Sequence, residues 1–187
     1  MLQIRHLTIT HRQDLRPLLE DFSFSLRPGD RAAVIGEEGN GKSTLLKLIA
    51  DESLVAGYAA YTGEILRDGM RPGYLSQELT GAERASSVYA FCLQEPAFLD
   101  REPRELSEIA AALGLPPALL YDDRPVSTLS GGEQVKLRLA RLLAARPDFL
   151  LLDEPSNDLD LDTLTWLEAY LLACPLPVLY ISHDETL

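Results

Sequence analysis

"RAAVIGEEGNGKSTLLKLIA", Arg31 to Ala50, decides the fold. Ala32 to Ile35 is a short apolar run closed by Gly36, the pattern of a buried strand. Leu45, Leu46, Leu48 and Ile49 then recur at helical spacing. The stretch therefore reads as strand, glycine loop, helix. Its loop, Gly36-Glu37-Glu38-Gly39-Asn40-Gly41-Lys42-Ser43-Thr44, matches G-x-x-x-x-G-K-[ST] at every fixed position. Glycines let the backbone wrap a phosphate, and the loop amides with the helix start supply positive potential. Lys42 adds a point charge for the β- and γ-phosphates, and Ser43 offers a hydroxyl to Mg²⁺. All nine residues are candidate nucleotide contacts.

Downstream, "DFLLLDEP" (Asp148 to Pro155) carries an apolar strand into two acids. Asp153 suits a carboxylate that steadies Mg²⁺, through water. Glu154, one residue further, can polarise an attacking water. Between these motifs lies "TLSGGEQVKLRLARLL", Thr128 to Leu143, the start of a long amphipathic helix from Ser130 to about Ala145 that Pro147 stops. Ser130 and Glu133 form a capping box, which accounts for those two residues but not for Gly131-Gly132. Paired glycines admit a close phosphate, yet Gly36 to Thr44 already wraps those of one nucleotide. Ser130, Gly131, Gly132 and Glu133 are therefore assigned to a nucleotide held by a facing copy.

The rest of the chain fits one architecture. Residues 2–9 alternate, with a phase slip between Ile4 and Leu7, and Phe22, Phe24 and Leu26 alternate cleanly. Segments around 83–94, 103–113 and 116–121 read as helices. Leu164, Leu167 and Leu171 mark another helix, and Val178 to Ile181 is a buried strand ending at Ser182-His183. Strands alternating with helices predict an α/β fold. The expectation is a P-loop NTPase core with a mostly parallel sheet, an N-terminal antiparallel β part and a small helical subdomain. The expected divisions are one domain over 1–187, with a core at 1–78 and 125–187 and the helical part at 79–124. Ligands bind at the carboxyl ends of such strands, so Gly36, Asp153 and His183 should share one edge.

Bulk properties narrow the function classes. Twenty-nine acidic against 17 basic residues give a net charge of -12, which speaks against an extensive nucleic-acid surface. No apolar run approaches the ~20 residues that span a bilayer. The N-terminus lacks a signal-peptide layout, so a cytoplasmic protein without direct membrane insertion is expected. Cys92 and Cys174 show no C-x-x-C spacing and read as buried free thiols. His6, His11 and His183 do not cluster, so no zinc site is expected.

The phosphate loop, Gln77 in "YLSQE", "LSGGEQ" (129–134), "LLLDEP", "SNDLD" (156–160) and His183 occur in that order. Along nearly its whole length the chain resembles an ATP-binding cassette ATPase. The resemblance implies two cassettes facing head-to-tail, each ATP lying between the phosphate loop of one and the Ser-Gly-Gly loop of the other. It implies that Gln77 reaches Mg²⁺ and the attacking water, that Asp160 faces the partner cassette, and that His183 contacts the γ-phosphate. His11 falls where such cassettes place the aromatic that stacks on adenine, and an imidazole stacks less well.

"EPSNDLDLDTLTWLEAYL" leans towards the ABC-F branch, whose members carry "EPTNHLD" and then "WLE". That likeness implies a soluble protein, usually with two cassettes in one chain, acting on the ribosome in translation or antibiotic resistance. Three departures stand out. Asp158 replaces the usual histidine, no long helical arm separates Lys42 from Gln77, and the chain ends four residues after His183. The last departure suggests a fragment, and Met1 favours the N-terminal half. The alternative is an ATPase subunit of a transporter, coupled to a separate membrane domain. A DNA-maintenance ATPase needs long heptad arms, for which Lys42 to Ser130 leaves no room.

Overall fold

A computed structural model describes residues 1–36, 39–157 and 159–182. Two sheets organise the molecule. The first is antiparallel, in the order β2-β1-β4, from β1 (Leu2–His11), β2 (Pro17–Leu26) and β4 (Ala59–Leu66). Leu2, Ile4, Leu7 and Ile9 all point into one core, although their alternation slips. The slip is a β-bulge: pairing with β4 shifts between Arg5 and Thr8, and His6 adopts φ 48°. Gly63 sits opposite at φ 99°, and a Cβ there would lie 2.4 Å from the His6 carbonyl oxygen. Only glycine admits that approach.

The second sheet is entirely parallel, in the order β3-β7-β6-β5, from β3 (Arg31–Val34), β5 (Pro72–Leu75), β6 (Phe149–Asp153) and β7 (Val178–Ile181). It forms the middle layer. Every residue of β6 is buried, as a strand covered on both faces requires. Its period of two divides the core. Phe149 and Leu151, with Leu179 and Ile181 of β7, pack towards α1 (Lys42–Ala50) and the antiparallel sheet. Leu150 and Leu152 pack with the helices of the opposite layer.

That opposite layer holds α2 (Gly81–Ala85), α3 (Val88–Cys92), α4 (Pro103–Ala112), α5 (Gly131–Ala144) and α6 (Leu161–Ala173). α4 runs from proline in its first turn to Gly114, which takes φ 68°. There the Leu115 amide donates to the Ala110 carbonyl and the Gly114 amide to that of Ala111, a Schellman stop. The segment expected as one helix over 83–94 is instead two. Ser86 and Ser87 are both extended, and Ser87 caps α3 by accepting from the Ala90 amide at 3.1 Å. A second strong N-cap restarts the helix rather than continuing it. Residues 117–121 form a 3₁₀ turn, led by Pro116-Pro117. Leu106, Phe91 and Leu120 share one cluster with Leu150 and Leu152, so the helical part and the sheet bury a common core. Cys92 and Cys174 are buried free thiols, and burial pushes the Cys92 thiol up to about 12. Among the described residues no helix is long and apolar enough to cross a membrane.

Candidate functional site

Parallel register gathers the chemistry at one edge. Leu75 pairs with Leu152, and Asp153 and Val34 both align with Ile181. The residues just beyond β5, β6 and β3 therefore emerge together: Gln77, Glu154 and the Gly36 loop.

The start of α1 is built differently from the other long helices at this edge. Its N-cap is Gly41 at φ 73°, with no side-chain cap and no acid in the first turn. By contrast, α5 has a Ser130–Glu133 capping box, and α6 is capped by Asp160. The first amides of a helix lack intrahelical partners, and here the N-cap residue has no side chain with which to satisfy one. That is the arrangement an anion completes. Lys42 is buried, and its Nζ donates to the Gly36 carbonyl at 2.6 Å. A Cβ on Gly41 would lie 2.7 Å from Leu18 Cβ, so glycine also lets β2 lean over the loop. A cavity of about 270 Å³ opens there, lined by Leu18, Gly39, Gly41–Thr44, Gln77 and Glu154.

Two acids close this site from β6. Asp153 is buried and accepts from Ser43 Oγ at 2.8 Å and from Tyr74 Oη at 3.1 Å. Burial raises its pKa, while these two hydrogen bonds act in the other direction. Tyr74 is itself pushed far up, by burial and then by the neighbouring Asp153 charge. Glu154 is buried and sits in the left-handed region at φ 48°. Its Oε2 accepts from Gln77 Nε2 at 2.9 Å and from Asn157 Nδ2 at 2.6 Å. The donor set fits Mg²⁺: the Ser43 hydroxyl touches the Asp153 carboxylate, the Gln77 amide is adjacent, and all are hard oxygen ligands.

The structure thus brings Gly39, Gly41, Lys42, Ser43, Thr44, Gln77 and Glu154 around one cavity, with Asp153 bonded to Ser43 beneath it. Asn40 is exposed on the same loop. Glu37, Glu38 and His183 lie outside the described residues, as does Asp158. Ser130, Gly131, Gly132 and Glu133 do not line this cavity. Ser130 is exposed; the Glu133 amide donates to its Oγ at 3.2 Å, and Glu133 Oε2 accepts from the Ser130 amide at 2.9 Å. Gly132 has an intrachain reason to be glycine, which its sequence context did not reveal. A Cβ there would lie 2.4 Å from Thr163 Oγ1 on α6. Asp160 accepts from the Thr163 amide at 2.8 Å, the N-cap geometry. His11 Nδ1 lies 2.9 Å from Asp14 Oδ1 and is not in the cavity wall. The Arg16 amide and then His11 hold the Asp14 carboxyl below its usual range.

Three residues of the site escape a reading of the sequence: Tyr74, Asn157 and Leu18. Asn157 stands inside "SNDLD", three residues after the acid it grips, and that spacing is a usable signal. The others depend on strand register and helix packing.

A sequence profile of the family described as ABC transporter matches residues 19–157. ATP-binding cassette sub-family F member 3 of Homo sapiens is 36% identical over 197 residues, covering 91% of this chain and 28% of that protein. The tylosin resistance ATP-binding protein TlrC of Streptomyces fradiae is 33% identical over 214 residues, covering 95% of this chain and 39% of that protein. The chain therefore spans well under half the length of these relatives. A solved structure of a metal-chelate type ABC transporter, in an inward-facing conformation, superposes with a TM-score of 0.76 at 23% identity. It covers 98% of this chain and 73% of that one, a likeness of fold.

Proposed function

The chain belongs to the ATP-binding cassette (ABC transporter) family, and from that premise we propose that it binds Mg·ATP at Gly36–Thr44 and hydrolyses it within a two-cassette sandwich. One observation carries the reading. The uncapped start of α1 and Lys42 share a cavity with Glu154, whose carboxylate the Gln77 amide orients.

The chain's own groups divide the work. The amides of the loop and of the α1 start wrap the β- and γ-phosphates, and Lys42 neutralises part of their charge. Ser43 and Asp153, with Gln77 beside them, would hold Mg²⁺, which supplies charge neutralisation to the phosphates when bound. Glu154 orients a water in line with the γ-phosphorus. As the water oxygen forms its bond to phosphorus, Glu154 accepts its proton and the bond to the ADP oxygen breaks, leaving inorganic phosphate. Such catalysis is positioning and electrostatics more than covalent chemistry. His183 is assigned the γ-phosphate contact, and His11 the adenine side of the site.

Ser130, Gly131, Gly132 and Glu133 are assigned to the nucleotide of a second cassette, in the same full-length protein or in another copy, and Asp160 to the same interface. Ser130's exposure and the separation of this loop from its own chain's phosphate cavity support that assignment. The sub-family F and tylosin-resistance relatives favour an ABC-F type protein over an ATPase subunit serving a separate membrane domain, and the proposed whole protein is a soluble one that acts on the ribosome. The test is a pull-down of the full-length E154Q protein with ATP. Ribosomes in the eluate support the ABC-F reading; a membrane complex in their place overturns it.

A further inference from the structure

Arg138 is 7% exposed in the middle of α5, among leucines at 137, 139 and 142. Among the described residues no carboxylate lies within ion-pair distance of it. Its fork is instead spent on the backbone just past β5. Nη2 donates to the Ser76 carbonyl and, at 3.1 Å, to Ser76 Oγ; Nη1 reaches the Gln77 carbonyl at 3.5 Å. Burial, reinforced by Arg141, lowers its pKa to about 10, so it stays a cation at neutral pH.

A buried cation with no carboxylate in contact is costly, and a leucine would fill the position without that cost. Arg141, less than a turn further on, shows the ordinary solution. It pairs with Glu83 at 3.3 Å, donates to Gln94 Oε1 at 2.9 Å and stacks on Phe91. Arg138 spends its hydrogen bonds on the two residues that carry the Gln77 side chain to Glu154. The N-terminal cap of the same helix is Ser130, eight positions back and about 12 Å away at 1.5 Å per residue.

We propose that Arg138 is a positioning residue: it fixes where Gln77 meets Glu154 and transmits displacement of the Ser130 end of α5 to the hydrolytic site of its own chain. The linkage runs Ser130, α5, Arg138, the Ser76–Gln77 backbone, the Gln77 amide, Glu154. It rests on the proposed ATPase reading and adds a route by which contact with a second cassette's nucleotide is felt in this one.

The test compares R138M and R138K with the wild-type protein. A cooperative melt and unchanged emission from Trp166, the single tryptophan, whose ring lies under Lys136 of α5, establish that the helix stays docked. Amide exchange over 75–79 is measured with and without Mg·ATP, alongside ATP affinity and turnover. In R138M the expected results are exchange over 75–79 faster by about tenfold without nucleotide, and kcat lower by about tenfold with ATP affinity within about threefold. ATP should still slow exchange over 39–44 in R138M but no longer over 75–79. R138K, which keeps one donor for Ser76, should recover part of each effect, and it carries the comparison if R138M does not fold. Wild-type exchange over 75–79 in a folded variant overturns the proposal, as does a loss residing in KM alone. If the wild-type protein binds no ATP, the ATPase reading falls, and nucleotide-free exchange still decides the clamp.

Discussion

Gln77 and Glu154 come from different strands and meet at 2.9 Å, the amide of one donating to the carboxylate of the other. Asn157 donates to the same oxygen at 2.6 Å. Two neutral amides from different parts of the chain therefore hold the same carboxylate oxygen and set its orientation.

Glu154→Gln keeps an acceptor for both amides and removes the proton acceptor. Turnover should fall by about 10²- to 10⁴-fold, the usual contribution of a general base, with ATP binding retained. Light scattering of the full-length variant with saturating Mg·ATP should show a stable closed assembly. A species that fails to close with ATP, with both cassettes present, contradicts the sandwich.

Lys42→Ala removes the cation that now rests on the Gly36 carbonyl at 2.6 Å. ATP affinity should drop roughly 10- to 100-fold, the range for losing a charge-assisted hydrogen bond. Titration with a fluorescent ATP analogue reads this directly. The melting temperature without nucleotide should change little, whereas the rise that ATP induces in the wild type should disappear.

Gly132→Ala drives a methyl to 2.4 Å from Thr163 Oγ1, with Thr163 Cγ2 at 3.0 Å. Overpacking of this kind costs about 1–3 kcal/mol, readable as a shift of the urea midpoint. Thr163→Ala removes both atoms, so the double variant should recover most of the loss. This double-mutant cycle separates the packing role of the glycine from any nucleotide contact. Equal losses in the single G132A variant and the double variant would assign the glycine to something other than Thr163.

Asp153 gives a pH dependence of stability. Its folded pKa is raised above the ordinary 3.8, chiefly by burial. As pH rises from 3.8 through the folded value, the unfolded chain releases this proton first, so stability falls across that window. Asp153→Asn has no such proton to lose. Without nucleotide it should equal the wild type below the window and exceed it above, while hydrolysis is lost. Urea melts from pH 4 to 8 check the crossover; a variant less stable than wild type at neutral pH would oppose the sign.

The motifs along the parallel sheet were legible because each is local: an apolar run, a glycine loop or an acid pair, and a periodic helix. Gly36, residues 39–44 and Asp153-Glu154 emerge at the expected edge for that reason. What the chain hid was pairing. Tyr74 meets Asp153 only because β5 and β6 are in parallel register, and Gly132 meets Thr163 only because α5 crosses the start of α6. β4 went unread because "AAYTGEIL" alternates weakly around Gly63, whose role is set by His6 on another strand. The break at Ser86-Ser87 was readable in principle, since both are strong helix starters. Arg138 was hidden in a helix whose apolar face gives no reason for a charge.

Glu154 leaves β6 with φ 48°, a conformation in which glycine or asparagine would sit with less strain. Two selections should therefore pull this codon apart. A library screened for heat resistance alone should enrich Gly or Asn here, because nothing in such a screen rewards a proton acceptor. A library screened for nucleotide turnover should hold the acid and gather its stabilising changes elsewhere.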